Sequence, residues 1–149
     1  MSNYKLNEEL IDKQFAYIIK KFKQSKYTRY EISNWCIDNK YRSQHNLEYW
    51  HTKQWKALCY GAYGFEDMNY YYFVKDKKIS HMYSKKEYYQ HLLIMGLRLI
   101  EGLDLKNQNN SDAWNYFKDR INTNLYVIKN NKVILKNINL LDDVLLNII

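Results

Sequence analysis

Between residues 41 and 55 the chain reads YRSQHNLEYWHTKQW, which brings His45, His51, Trp50, Trp55, Tyr41, Tyr49, Arg42 and Lys53 into one short stretch. Imidazole can ligate a metal or carry a proton near neutral pH, aromatic rings offer flat apolar surface, and a guanidinium pairs with carboxylates. The same residues also suit the entrance of a packed helix, with Asn46 as N-cap, Trp50 turned inward and His45 hydrogen-bonding at the first turn. Spacing alone leaves both readings open. His51 shares an apolar helical arc with Leu47, Trp50 and Leu58 and reads as a core histidine, while His81 and His91 belong to no motif.

Elsewhere the chemistry is sparse. Cys36 and Cys59 form no CxxC and have no dense spacing, so neither a disulfide framework nor a cysteine zinc site is expected, and a reducing cytoplasm suits them best. No Gly-rich phosphate loop, GxSxG or HExxH is present, which argues against a self-contained enzyme of those kinds. Lys and Arg number 23 against 16 acids, a net charge of +7, so nucleic acid, a membrane surface or an anionic ligand is admitted as partner. The basic clusters IKKFKQSK and VKDKKI are interrupted and read as solvated faces. No apolar run approaches the ~18 residues that a membrane helix needs.

The elements that must position these residues follow from periodicity and caps, because proline is absent and glycine occurs only four times. NEELIDKQFAYIIKKFKQ sets Leu10, Phe15, Ile18, Ile19 and Phe22 near helical spacing, giving a first helix with a charged outer face and these residues inward. TRYEISNWC alternates with a period near two and predicts a short strand. NLEYWHTKQWKALCYG predicts a helix from Asn46 toward Gly61, and GAYGFEDMNYYYFVKDKKISHMYS reads as irregular structure or a loose hairpin. Ser84 and Glu87 stand at capping-box spacing before a helix striped by Leu92, Met95, Leu99 and Leu103 and ending near Gly102. SDAWNYFKDRI predicts a helix capped by Ser111 with Trp114, Phe117 and Ile121 inward; LYVIKNNKVILKNI predicts a hairpin around Asn130 and Asn131; NLLDDVLLNII closes as an apolar helix.

RYEISNWCIDNKYRSQHNLEYW resembles the YEISNFA segment and the HNxxYW motif of the HemW and HemN-like radical SAM family, with Tyr30 to Trp35 and His45 to Trp50 in the matching places. YGAYGF is similar to the family's GAHGY turn, LLIMGLRLIEGLDL to its LxLRLxxGID helix, and NNKVILKNINLLDDVLLNII to its terminal wing and helix. The resemblance runs from about residue 10 to the end of the chain and covers the C-terminal third of such proteins. It implies an α+β fold: a helix and strand like the end of a radical SAM (β/α) barrel over residues 1–83, then a mainly helical, winged-helix-like domain over residues 84–149.

The HemW branch is described as a heme chaperone and the HemN branch as an oxygen-independent coproporphyrinogen III oxidase. The resemblance therefore implies binding of heme or a related tetrapyrrole. Imidazole is a good axial ligand for heme iron, so His45 is the candidate metal ligand, with Tyr49 and Trp50 as flat surface, Asn46 beside them and Arg42 for a propionate. The family's [4Fe–4S] cluster and S-adenosylmethionine depend on a CxxxCxxC loop, and Cys36 and Cys59 are too few and too far apart to supply it, so activity of this chain alone is not expected. Two residues depart from the pattern: Tyr63 stands where the turn usually has histidine, and Cys36 where a small residue usually follows the aromatic; Gly61 to Gly64 is given no role. A barrel remnant would leave a strand edge at residues 29–35, implying a radical SAM barrel chain or self-association as partner. The alternative is a basic winged-helix module on nucleic acid, for which the sequence offers Lys118, Arg120 and Asn115.

Overall fold

The computed structural model describes residues 7–149, which form two compact units divided after Arg42. The boundary expected between residues 83 and 84 falls inside the second unit. The fold is α+β, with short helices interleaved with three small antiparallel sheets.

The first unit opens with α1 (Glu8–Lys23), which starts where Asn7 accepts a hydrogen bond from the Leu10 N–H at 3.1 Å. Glu8 and Glu9 in its first turn and Lys20, Lys21 and Lys23 in its last complement the helix dipole. None of its residues is buried, although the spacing of Leu10, Phe15 and Ile18 predicted an inward face. The strand expected over residues 28–36 instead folds on itself. β1 (Thr28–Arg29) pairs with β2 (Trp35–Cys36), Thr28 opposite Cys36 and Arg29 opposite Trp35, so these two strands satisfy each other. A side chain with many donors holds the loop: the Arg29 guanidinium donates to the carbonyls of Glu31 and Ile32 and lies 5.0 Å over the Trp35 ring. Tyr30, Glu31 and Cys36 are buried.

The second unit begins with α2 (Gln44–Trp50), shorter than expected. Ser43, not Asn46, caps it, accepting the Asn46 N–H at 3.3 Å. Thr52 takes a positive φ of 51°, which ends the helix, so His51 is exposed and Leu58 is 89% exposed rather than on a buried arc. The tyrosine-rich stretch is regular: β3 (Tyr63–Glu66), β4 (Asn69–Val74) and β5 (Lys77–Met82) form a meander. Its first turn is made by Asp67 and Met68, both at positive φ, a pair that lacks the glycine signal of such turns. Tyr71 lies against Gly64 so closely that a Cβ there would fall 2.3 Å from its ring. The outer strand β5 is exposed throughout and carries Lys77 and Lys78, charges that discourage edge pairing.

α3 (Lys85–Gly96) has the expected capping box between Ser84 and Glu87. It stops at Gly96, before Leu99 and Leu103, because the chain turns back there: a Cβ on Gly96 would meet Leu103 Cδ1 at 2.3 Å, and Gly102 at φ 84° passes the carbonyl of Val133. β6 (Leu103–Asp104) then joins β8 (Lys132–Leu135), which pairs with β7 (Tyr126–Lys129) through a turn of Asn130 and Asn131, both at positive φ as their sequence predicts. α4 (Gln108–Phe117) is capped by Asn107 rather than Ser111, and the chain ends in a short α5 (Leu141–Leu145) after one 3-10 turn. Leu93, Leu97, Leu103, Phe117, Val133, Leu141, Val144 and Ile148 make the core of this unit. At roughly 1.5–3 kcal/mol for each large apolar side chain removed from water, this cluster is the unit's main stabilising term.

Candidate functional site

α2 carries the histidine motif. Its seven residues set His45 and Tyr49 one turn apart, so the rings meet edge to face with centroids 4.8 Å apart. His45 is exposed and its imidazole makes no hydrogen bond among the described residues. Asn46 and Tyr49 are half-buried beside it. Arg42 belongs to the first unit, where its guanidinium lies 5.6 Å over the Tyr30 ring.

From His45 a series of ring contacts runs inward. Tyr49 meets Trp55 at 4.7 Å, Trp55 meets Phe65 at 5.2 Å, and Phe65 meets His91 at 4.9 Å. Trp55 is oriented by its indole N–H, which donates to the Tyr63 carbonyl at 3.0 Å. His91, which the sequence left without a role, is buried at the inner end of this series with Tyr83 at 5.6 Å, and its Nε2 has no hydrogen-bond partner. Burial among rings pushes its pKa down to about 4, so it is neutral at pH 7. His81 stands apart, exposed, with Nε2 3.1 Å from Glu87 Oε1. The Ser84 hydroxyl and N–H, together with His81, hold the Glu87 carboxyl down at about 2.

Trp50 faces differently. The Arg98 guanidinium lies 4.9 Å over its ring, and both the indole N–H and Arg98 Nε are buried with no hydrogen-bond partner. Trp50 also lines a cavity of about 350 Å³ with His51, Gly96, Leu99, Gly102 and Asn107. HNLEYW and LRLIEGLDL, about 50 residues apart in sequence, thus converge on one stacked pair and one hollow. His45, Asn46, Tyr49 and Arg42 do not line it, so the five expected site residues are not gathered around one pocket. Convergence at Arg98 was invisible to periodicity, which placed it only on a helix.

Among the described residues no group of three or more His, Cys, Asp or Glu is placed to hold a metal ion. A tetrapyrrole brings its own four nitrogen donors and asks the protein for one or two axial ligands, which the exposed His45 imidazole fits. A [4Fe–4S] cluster does not fit: the chain has two cysteines, Cys36 buried and Cys59 exposed. Asn115, Lys118 and Arg120 are exposed, but α4 ends at Phe117, so the two cations sit on the following 3-10 turn and not on the helix. No helix of the described residues is long and apolar enough to cross a membrane. Comparison with protein-family models, with curated proteins and with solved structures finds no match.

Proposed function

We propose that this chain is a C-terminal region of the HemW and HemN-like radical SAM type that contributes heme or tetrapyrrole binding, with His45 as the axial ligand of the iron. The observation that carries the reading is the His45 imidazole itself: exposed, without a hydrogen bond among the described residues, and fixed edge-on to Tyr49 at 4.8 Å. An exposed imidazole that spends no ring nitrogen on a hydrogen bond can offer its lone pair to iron at little cost. Tyr49 and the half-buried Trp55 beyond it extend apolar ring surface next to it.

A second observation supports the family assignment. Two of the segments that resemble the family, HNLEYW and LRLIEGLDL, meet where Arg98 lies over Trp50, so residues paired by resemblance are also paired in space. In this reading residues 84–149 are the winged-helix-like tail, with the β7–β8 hairpin as the wing. The cavity beside Trp50, at about 350 Å³, is at the lower end of ligand pockets and would not enclose a macrocycle, so the tetrapyrrole lies across the His45 face. Heme, when bound, supplies the iron and its redox chemistry; the chain supplies the ligand, the ring surface and nothing that cleaves S-adenosylmethionine. The chain works with a radical SAM barrel supplied separately and in the cytoplasm.

The test is a titration of ferric heme into the purified chain, followed by visible absorption, beside His45→Ala and His81→Ala. A Soret shift that saturates near one heme per chain, is lost in His45→Ala and survives in His81→Ala is the expected result. An unshifted Soret band in the unaltered chain contradicts the reading.

A further inference from the structure

We infer that α1 docks on α1 of a second copy of this chain, side by side and antiparallel. The helix is 16 residues long and leaves a continuous apolar stripe in water, with Leu10 51%, Ile11 45%, Phe15 42% and Ile18 43% exposed. Ile11, Phe15 and Ile18 are spaced by four and three residues, the seam on which two helices interlock, and it closes at Phe22, which is half-buried and stacks on Trp35 at 4.5 Å. Single exposed apolar residues are ordinary on a protein surface, but a stripe over about two turns on one helix marks an interaction face.

Charge selects the occupant and its direction. The acids Glu8, Glu9 and Asp12 lie at the N-terminal end and the bases Lys20, Lys21 and Lys23 at the C-terminal end. Lys13 is already paired with Glu9 at 2.5 Å, whereas Asp12 and Lys23 form no ion pair among the described residues. Asp12 and Lys23 are 11 residues, or about three turns, apart and so flank the same edge of the stripe. A parallel pair would set acids beside acids, bases beside bases and the two helix dipoles side by side. An antiparallel pair related by a two-fold axis sets each acidic end against a basic one, opposes the dipoles, and brings Phe15 of one copy to Ile18 of the other near the axis. Asp12 of each copy then lies near Lys23 of the other, twice per dimer.

One helix face is a small interface, so the association is weak and concentration-dependent. Sedimentation equilibrium of the full chain over roughly 1 µM to 1 mM covers the range in which such contacts form. The expected result is a mass rising from 18.3 kDa toward twice that value, and falling back in Phe15→Glu, whose exposed side chain leaves the fold intact by circular dichroism. Direction is read from two charge variants. Asp12→Lys and Lys23→Glu each self-associate at least several-fold more weakly than the unaltered chain, and mixing the two restores association, because each lysine-rich edge then meets a glutamate or aspartate. A monomeric mass throughout, association unchanged by Phe15→Glu, or a mixture no tighter than its components overturns the proposal. So does binding to lipid vesicles with no change of mass in solution, since the stripe would then serve a membrane surface instead.

Discussion

Acid should destabilise the second unit through one side chain, His91. In the folded chain it is 8% exposed, its ring faces Phe65, Tyr83 and Trp55, and its Nε2 has no partner. The folded pKa of about 4 lies below the ordinary histidine value of 6.5 because burial disfavours the imidazolium. Above pH 6.5 both folded and unfolded chains carry the neutral ring and the group is silent. Between pH 6.5 and about 4 the unfolded chain binds a proton that the folded chain does not, so stability falls as pH falls. At about 1.36 kcal/mol per pH unit the gap sets a ceiling of about 3 kcal/mol, of which about 2 kcal/mol is lost by pH 5. Against a typical 5–15 kcal/mol for a small domain this is readily measured. Urea unfolding followed by tryptophan fluorescence at pH 7 and pH 5 should show the loss in the unaltered chain, and His91→Leu, near it in volume, should remove most of it. The comparison within each chain cancels any constant packing cost of the substitution. Equal pH dependence in the two chains would refute the argument, because another group would then carry the proton uptake.

Three further substitutions probe how each unit is held together. Gly102→Ala forces a Cβ onto φ 84° and within 2.3 Å of the Val133 carbonyl oxygen, so it should cost roughly 2–4 kcal/mol by urea midpoint, and a change below about 0.5 kcal/mol would contradict this. Ser84→Ala removes the capping box of α3 and should cost about 1 kcal/mol, while the Glu87 carboxyl, now without the Ser84 hydroxyl, titrates above its present value of about 2; an unmoved Glu87 titration by NMR would show that the cap does not hold it. Arg29→Ala strips two carbonyls of their donor and Trp35 of its stacked cation, so hydrogen exchange at Tyr30 and Cys36 should accelerate roughly 30-fold, equivalent to about 2 kcal/mol, and unchanged protection would mean that the loop does not need the guanidinium.

The parts legible in the sequence are those written in local chemistry. The Ser84 and Glu87 box, the start of α1 after Asn7, and the Asn130–Asn131 turn all follow from side chains acting on backbone within four residues. What escaped depends on contacts between distant positions. The stripe through Leu99 and Leu103 is buried as expected, but the helix stops at Gly96 because the returning chain needs the space where a Cβ would be. The meander of β3, β4 and β5 escaped because Asp67 and Met68 turn without glycine, and α2 stopped early because Thr52 accepts a left-handed conformation that no periodicity reveals. In α1 the period was right and the inference from it was not: an apolar stripe marks a face that seeks a partner, and here it is left in water. At the candidate site, the His45 to Tyr49 contact is a one-turn spacing and could be read directly. The Trp50 to Arg98 stack and the buried His91 could not, since each is set by how α2, β3 and α3 pack.

The proposed heme site stands or falls on whether the His45 imidazole holds the iron. Low-temperature electron paramagnetic resonance and resonance Raman spectra of the ferric heme complex distinguish an imidazole ligand from a thiolate or a phenolate, and Cys59, Tyr49 and His51 are among the donors that could substitute for His45. A nitrogen-ligand signature in the unaltered chain that persists in Cys59→Ser and His51→Ala and vanishes in His45→Ala is the predicted result. The same signature retained in His45→Ala would contradict the account and return HNLEYW to a helix entrance that holds Tyr49 and Trp50 in place.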